Sequence, residues 1–283
     1  MKSSAWIWRI TASVSVIVTI VLIFGFVYAF NDINNPQGQP LVSGDKADIS
    51  AGETSPEQHE SVPSQPVLPN ELQVTVLGDS LAKGTGDSAG GGFVRRSVEL
   101  LNEDGRSASV LANLAINGLT TEGLLPKLDD QGIQYALKQA NVIMLSIGGN
   151  DLFQGSGLLE GATNSDNLEL DPAKLMSALP QASERLQTIL EKIRTINPDA
   201  RIVYIGLYHP FADIEDLLIP GNVVVTAWNH AVMEIVNRDS NMTLVATFDL
   251  FQHKLGKYLS SDHFHPNGAG YQAIADRIVQ GML

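Results

Sequence analysis

Five short apolar runs alternate with segments of helical spacing between residues 72 and 279, and this alternation constrains the fold more than any single residue does. Leu72–Leu77, Ala108–Ile116, Asn141–Ile147, Arg201–Leu207 and Met242–Phe248 read as strands, being short, apolar and bounded by turn residues. Phe93–Leu101, Leu124–Ala140, Pro172–Ile196, Val223–Asn237 and Gly268–Val279 read as helices, the second broken or kinked near Pro126 and Gly132. Asp171 is a good N-cap for the third, Pro172 fits its first turn and Asn197-Pro198 stops it. Pro180 predicts a kink in it or a division in two. Strands that alternate with helices pair in parallel, with helices on both faces of the sheet. The expected class is therefore α/β with a five-stranded parallel sheet.

The amino-terminal quarter does not share this pattern. Residues 10–30 carry no charge, and as a helix these 21 positions would span roughly 31 Å, the thickness of a hydrocarbon core. Lys2 and Arg9 precede the run and Trp6 and Trp8 suit the headgroup level, whereas Asp32, Asp45 and Asp48 follow it. That asymmetry predicts residues 1–9 in the cytoplasm, a single uncleaved signal-anchor at 10–30 and everything after it outside. The competing reading is a cleaved signal peptide ending near Val27-Tyr28-Ala29, with a secreted product, but the apolar run exceeds a usual signal core. Residues 31–70 hold Pro36, Pro40, Pro56, Pro63, Pro66 and Pro69 among Asn, Gln, Ser, Gly and acids. Such a stretch has too few large apolar residues to build a core and reads as a flexible linker. Residues 71–283 remain for one domain.

Composition excludes several classes. The net charge of -13 argues against nucleic-acid binding, which needs a basic face, and against electrostatic docking on anionic lipid. There is no cysteine, so thiol catalysis, thiolate metal sites and disulfides are all absent. No cofactor-binding motif stands out, and no obligate protein partner is evident.

Three strings carry the chemistry: Gly78-Asp79-Ser80, Gly148-Gly149-Asn150-Asp151 and Asp262-His263-Phe264-His265-Pro266. The first two directly follow expected strands and the third precedes the last expected helix. Loops at the carboxyl ends of parallel strands line a common crevice, so these distant residues can meet. A serine needs a base to become a nucleophile, and His265 is the candidate. Asp262, three residues earlier, can hold one imidazole nitrogen while the other faces Ser80. The oxyanion donors would be the backbone N–H groups of Ser80 and Gly118 and the side-chain amide of Asn150. Taken singly, each residue has a plainer role: Ser80 a helix cap, Asn150 a loop-ordering side chain, Asp262 a cap for the last helix, His265 a surface residue. Their joint placement at strand ends favours catalysis. Asp79 and Asp151 read as structural braces, and His263 as a weaker base than His265 because it directly follows Asp262. His59 lies in the linker; His209, His230 and His253 read as solvated or structural, and Tyr271 as a core residue.

With these blocks in order from Leu72 to the C-terminus, the chain resembles the SGNH, or GDSL-like, hydrolases, whose signature residues would be Ser80, Gly118, Asn150 and His265, with Asp262 completing a triad. The resemblance implies a flavodoxin-like three-layer α/β/α fold, hydrolysis of esters or thioesters and no metal. Gly78-Asp79-Ser80-Leu81-Ala82 lacks the second glycine of a Gly-x-Ser-x-Gly elbow, which argues against the larger α/β-hydrolase fold. The same strings also resemble those of dinuclear metallophosphoesterases, but that reading wants further histidines where Ser80 and Asp151 stand. A non-catalytic module binding the cell envelope is a third possibility, and an intact triad speaks against it. For substrate, acyl esters, lysophospholipids and acetylated glycans all fit. The segments Leu152 to Leu170 and Pro210 to Gly221 follow strand ends and either wall the site or pack onto the core.

Overall fold

The computed structural model describes residues 68–153 and 172–282, together with 14, 15, 18, 19, 21 and 22 near the amino terminus. Those six are helical, with the Thr19 hydroxyl donating to the Ser15 carbonyl at 2.8 Å. The remainder of the expected anchor, nearly all of the expected linker, the N-cap Asp171 and most of the 152–170 segment lie outside the described residues. Among the described residues no helix is long and apolar enough to cross a membrane.

The elements in chain order are β1 (Glu71–Gly78), α1 (Ser80–Lys83), α2 (Gly92–Glu103), β2 (Ser107–Asn113), α3 (Thr121–Lys127), α4 (Gln131–Gln139), β3 (Val142–Ser146), α5 (Gly149–Phe153), α6 (Pro172–Ile196), β4 (Arg201–Ile205), α7 (Glu215–Val236), β5 (Met242–Val245), α8 (Phe248–Phe251), α9 (Leu255–Tyr258) and α10 (Gly268–Met282). The sheet has five strands in the order β2-β1-β3-β4-β5, and every pairing is parallel. This is the flavodoxin-like order, in which the chain steps from β1 to β2 on one side and then crosses back to β3 on the other. The crevice at that reversal lies beyond the carboxyl ends of β1 and β3, where Ser80 and Asn150 stand.

Both faces of the central strands β1, β3 and β4 are buried because successive strand residues alternate between two cores. Val74, Val76, Val142, Met144, Val203 and Ile205 face Phe93 and Leu101 of α2 and Tyr271, Ile274 and Ile278 of α10. Leu77, Ile143, Leu145, Ile202 and Tyr204 face Leu124, Leu137, Leu186, Ile193, Val224 and Trp228, supplied by α3, α4, α6 and α7. The result is the expected three layers.

Element boundaries differ from the sequence reading where tertiary packing overrides a local breaker. They agree with it at 124–140, where the expected break is present as two helices, the second capped by Asp130, whose carboxylate accepts from the N–H groups of Gly132 and Ile133 at 2.8 and 3.0 Å. Pro180 sits inside α6 without dividing it. Ala182, Leu186, Ile189, Leu190 and Ile193 along α6 are all buried, and packing of that face stabilises the helix. α7 begins at Glu215 rather than Val223 and runs through Pro220-Gly221, with Leu217 buried as deeply as Val224 and Val225. The breaker pair hid its first two turns.

Candidate active site

Ser80 is placed by a sharp turn at the end of the central strand. Gly78 has φ 134°, and a Cβ there would lie 1.9 Å from the Ser146 carbonyl oxygen of β3, so only glycine fits. The next residue, Asp79, donates its N–H to that same carbonyl at 2.9 Å. Its carboxylate accepts from the Leu81 N–H at 3.0 Å and caps α1, so Ser80 becomes the first residue of the helix. Burial pushes the Asp79 carboxyl up from 3.8 to about 7, the hydrogen bond from Leu81 opposing this and the charge of Asp151 adding to it. The brace expected of Asp79 is therefore present, and it carries a pH dependence. The folded chain keeps a proton on Asp79 that the unfolded chain releases, so stability falls as pH rises from 3.8 towards about 7. Asp79→Asn keeps an acceptor for Leu81 and has no such titration. Urea unfolding of the two proteins is expected to show the variant gaining on the parent from pH 4 to 7, with no further change above; a pH-independent difference would contradict this.

The Asp262–His265 loop is closed by an antiparallel bridge between Leu259 and Pro266 and by the Ser260 N–H donating to the His265 carbonyl at 2.8 Å. Within it, Asp262 Oδ1 accepts from the Ser260 hydroxyl at 2.7 Å and from the N–H groups of Phe264 and His265, each at 2.9 Å. Asp262 Oδ2 lies 2.7 Å from His265 Nδ1. His265 Nε2 lies 2.7 Å from Ser80 Oγ. Partial burial works to raise the Asp262 pKa, but the bonds from His265, Phe264 and Ser260 outweigh it and hold the carboxyl at about 2. The Tyr208 hydroxyl donates to the Phe264 carbonyl at 2.6 Å, tying this loop to the chain after β4, and its ring stacks on Phe251. His263 takes the turn's positive φ of 53° and stands outside the relay. Asn267, not Asp262, caps α10, accepting from the N–H groups of Ala269 and Gly270.

Asn150 is set by a second tight turn. Gly148 has φ 113°, and a Cβ there would lie 2.1 Å from the Trp228 ring. Trp228 Nε1 donates to the Tyr204 hydroxyl at 3.1 Å, and that hydroxyl donates in turn to the Ile147 carbonyl. Asn150 Nδ2 donates to the Leu119 carbonyl at 2.9 Å, which uses one of its two amide hydrogens, and the residue lines the cavity described below. Its neighbour Asp151 accepts from the Thr121 N–H at 2.9 Å and from the Thr121 hydroxyl at 2.5 Å. Arg185 reaches both, with Nη2 3.4 Å from Asp151 and Nε donating to Thr121 Oγ1 at 2.9 Å. This cluster joins α3, which follows β2, to α5, which follows β3, through Arg185 of α6. Gly118, at φ 74°, lies on the loop between β2 and α3 beside Leu119.

Ser80, Asn150 and His265 line one cavity together with Phe153, Leu207 and Phe264. Gly118 is not among the lining residues; it reaches this region through its neighbour Leu119, which accepts from Asn150. Among the described residues no group of three His, Cys, Asp or Glu side chains is arranged to hold a metal ion. A model of the GDSL-like lipase/acylhydrolase family matches residues 76–273. The chain belongs to this family. Among curated members, it is 32% identical over 214 residues to the uncharacterized protein YpmR of Bacillus subtilis strain 168, covering 75% of this chain and 81% of that one. It is 30% identical over 214 residues to the spore germination lipase LipC of Bacillus licheniformis, covering 73% and 94%. The crystal structure of the lipase Lip_vut3, from a goat rumen metagenome, superposes with a TM-score of 0.63 at 28% identity, covering 74% of this chain and 97% of that one. The family assignment makes ester hydrolysis the activity with which the site has to be reconciled.

Several residues that build the site were not singled out by sequence. Tyr208, Thr121, Arg185 and Trp228 act through contacts made by chain segments far apart, and nothing in their local spacing distinguishes them. His209, expected to be solvated or structural, is buried, with Nδ1 3.1 Å from Asn222 Oδ1. Tyr271 is fully buried as expected, and its hydroxyl donates to the Thr85 carbonyl at 2.7 Å.

Proposed function

We propose that this chain is a serine hydrolase of carboxylic esters working through an acyl-enzyme. The observation that carries this reading is the relay from Asp262 to His265 to Ser80, closed by two contacts of 2.7 Å. His265 Nε2 takes the Ser80 hydroxyl proton as Oγ bonds to the ester carbonyl carbon, and Asp262 steadies the imidazolium through Nδ1. Nε2 then returns that proton to the alcohol oxygen as the carbon–oxygen bond breaks. Water repeats the sequence on the acyl-enzyme, releasing the acid and restoring Ser80. The negative oxygen formed in each half falls to the N–H group of Ser80 and the second amide hydrogen of Asn150, both on residues lining the cavity, with the N–H group of Gly118 approaching from the adjoining loop.

Acyl esters, lysophospholipids and acetylated glycans are the candidate substrates. The curated lipase relative supports the first of these. The uncharged run at 10–30 supports a single-pass membrane tether, with the catalytic domain outside the cell.

Asn150 provides the test. The purified chain is expected to turn over p-nitrophenyl butyrate equally with and without EDTA. Asn150→Ala should lower kcat by about 10²–10³-fold with little change in KM, because the donor acts on charge that exists only in the transition state. Loss of activity in EDTA would overturn the serine reading. A rise in KM at constant kcat would make Asn150 a substrate-binding residue instead.

A further inference from the structure

The cavity beside Ser80 is polar at its reacting groups and apolar elsewhere, and its apolar wall is built to stay in place. Phe153 and Phe264 both line it. Phe211 stands behind them, edge-on to Phe153 with centroids 5.8 Å apart and stacked on Phe264, also at 5.8 Å. Phe264 in turn meets the His265 ring edge-on at 4.8 Å. Leu207 and Pro210 complete the wall. Phe153, Leu207 and Phe211 are buried, so each is held by packing on the side away from the cavity. The cavity volume is about 40 Å³. At roughly 10–15 Å³ for each water-sized group, that is room for about three or four.

We propose that this cavity is the acyl socket and that it limits the chain to short-acyl esters, from acetyl to about butyryl, which among the candidate substrates favours short acyl esters and acetylated glycans over lysophospholipids. The inference rests on the serine-hydrolase reading and adds to it which part of the ester is enclosed and how large it can be. The acyl group stays attached to Ser80 between the two half-reactions, so an apolar space beside that residue suits it. The alcohol must leave and water must enter, and the open side serves them: the Asp262 side chain is 45% exposed and that of His265 18%. A longer chain gains nothing once the socket is full and has to displace Phe153 or Leu207 from packed positions, which costs more than its added contacts return.

The experiment measures kcat/KM of the full chain for p-nitrophenyl acetate, butyrate, octanoate and palmitate, beside the Phe153→Ala and Leu207→Ala variants. The parent is expected to prefer butyrate over octanoate by about tenfold or more. Opening the wall should reduce that preference by about tenfold in Phe153→Ala, and Leu207→Ala gives the same reading should the first variant fail to fold. Preference of the parent for octanoate or palmitate would overturn the socket while leaving the hydrolase reading in place. So would an unchanged preference in folded variants. Absence of any ester turnover by the parent would instead remove the hydrolase reading, and the socket with it.

Discussion

Ser80→Ala is expected to lower kcat for p-nitrophenyl butyrate by about 10⁵-fold or more while leaving the protein folded. The size follows from the chemistry. Without Oγ no acyl-enzyme can form, and only the oxyanion donors and the binding cavity remain to assist direct attack by water. The side chain contributes little to folding, because Asp79 and Gly78 build the turn and Ser80 adds one hydrogen bond to His265. Its loss should shift the unfolding free energy by about 1 kcal/mol at most. Kinetics and urea unfolding on the same preparation check both halves. Activity within tenfold of the parent would remove Ser80 from the role of nucleophile, and a collapse in stability would leave the lost activity unexplained by chemistry.

Asp262→Asn is expected to lower kcat by about 10³–10⁴-fold with KM nearly unchanged. The parent carboxylate can only accept from Nδ1, which forces the neutral imidazole to present a bare Nε2 to Ser80. An asparagine can turn its amide towards Nδ1, placing the proton on Nε2, where it blocks the transfer. The variant's remaining oxygen can still accept from Ser260, Phe264 and His265, so the loop keeps its shape. With its pKa held at about 2, Asp262 is charged at neutral and mildly acidic pH. A depressed carboxyl contributes stability above its unfolded value of 3.8 and loses it as pH falls through about 2. A variant retaining more than a tenth of the parent's kcat would show that Asp262 does not set the tautomer.

The sheet and its helices were legible because buried parallel strands are continuous apolar runs and amphipathic helices keep their own period. Ser80, Asn150, Asp262 and His265 were legible because a strand-end position and a short spacing each carry a mechanism. What the sequence hid depends on tertiary contact. Pro220-Gly221 reads as a terminator, yet burial of Leu217 carries α7 through it. Arg185 looks like any charged residue on an amphipathic helix until Thr121 and Asp151 are folded against it. Tyr208 gains its role only when Phe264 arrives from 56 residues away. The proposed oxyanion donors divide in the same way. Asn150 follows a tight glycine turn and meets the cavity, whereas Gly118 approaches it only through the neighbouring carbonyl of Leu119.

The central claim is that the Ser80 hydroxyl is activated by His265. A fluorophosphonate probe reacts with a serine only when a base has made it nucleophilic. Labelling of the full chain followed by peptide mapping should place one adduct on Ser80, with labelling lost in His265→Ala although the hydroxyl remains. An adduct on another residue, or equal labelling without the imidazole, would contradict the account.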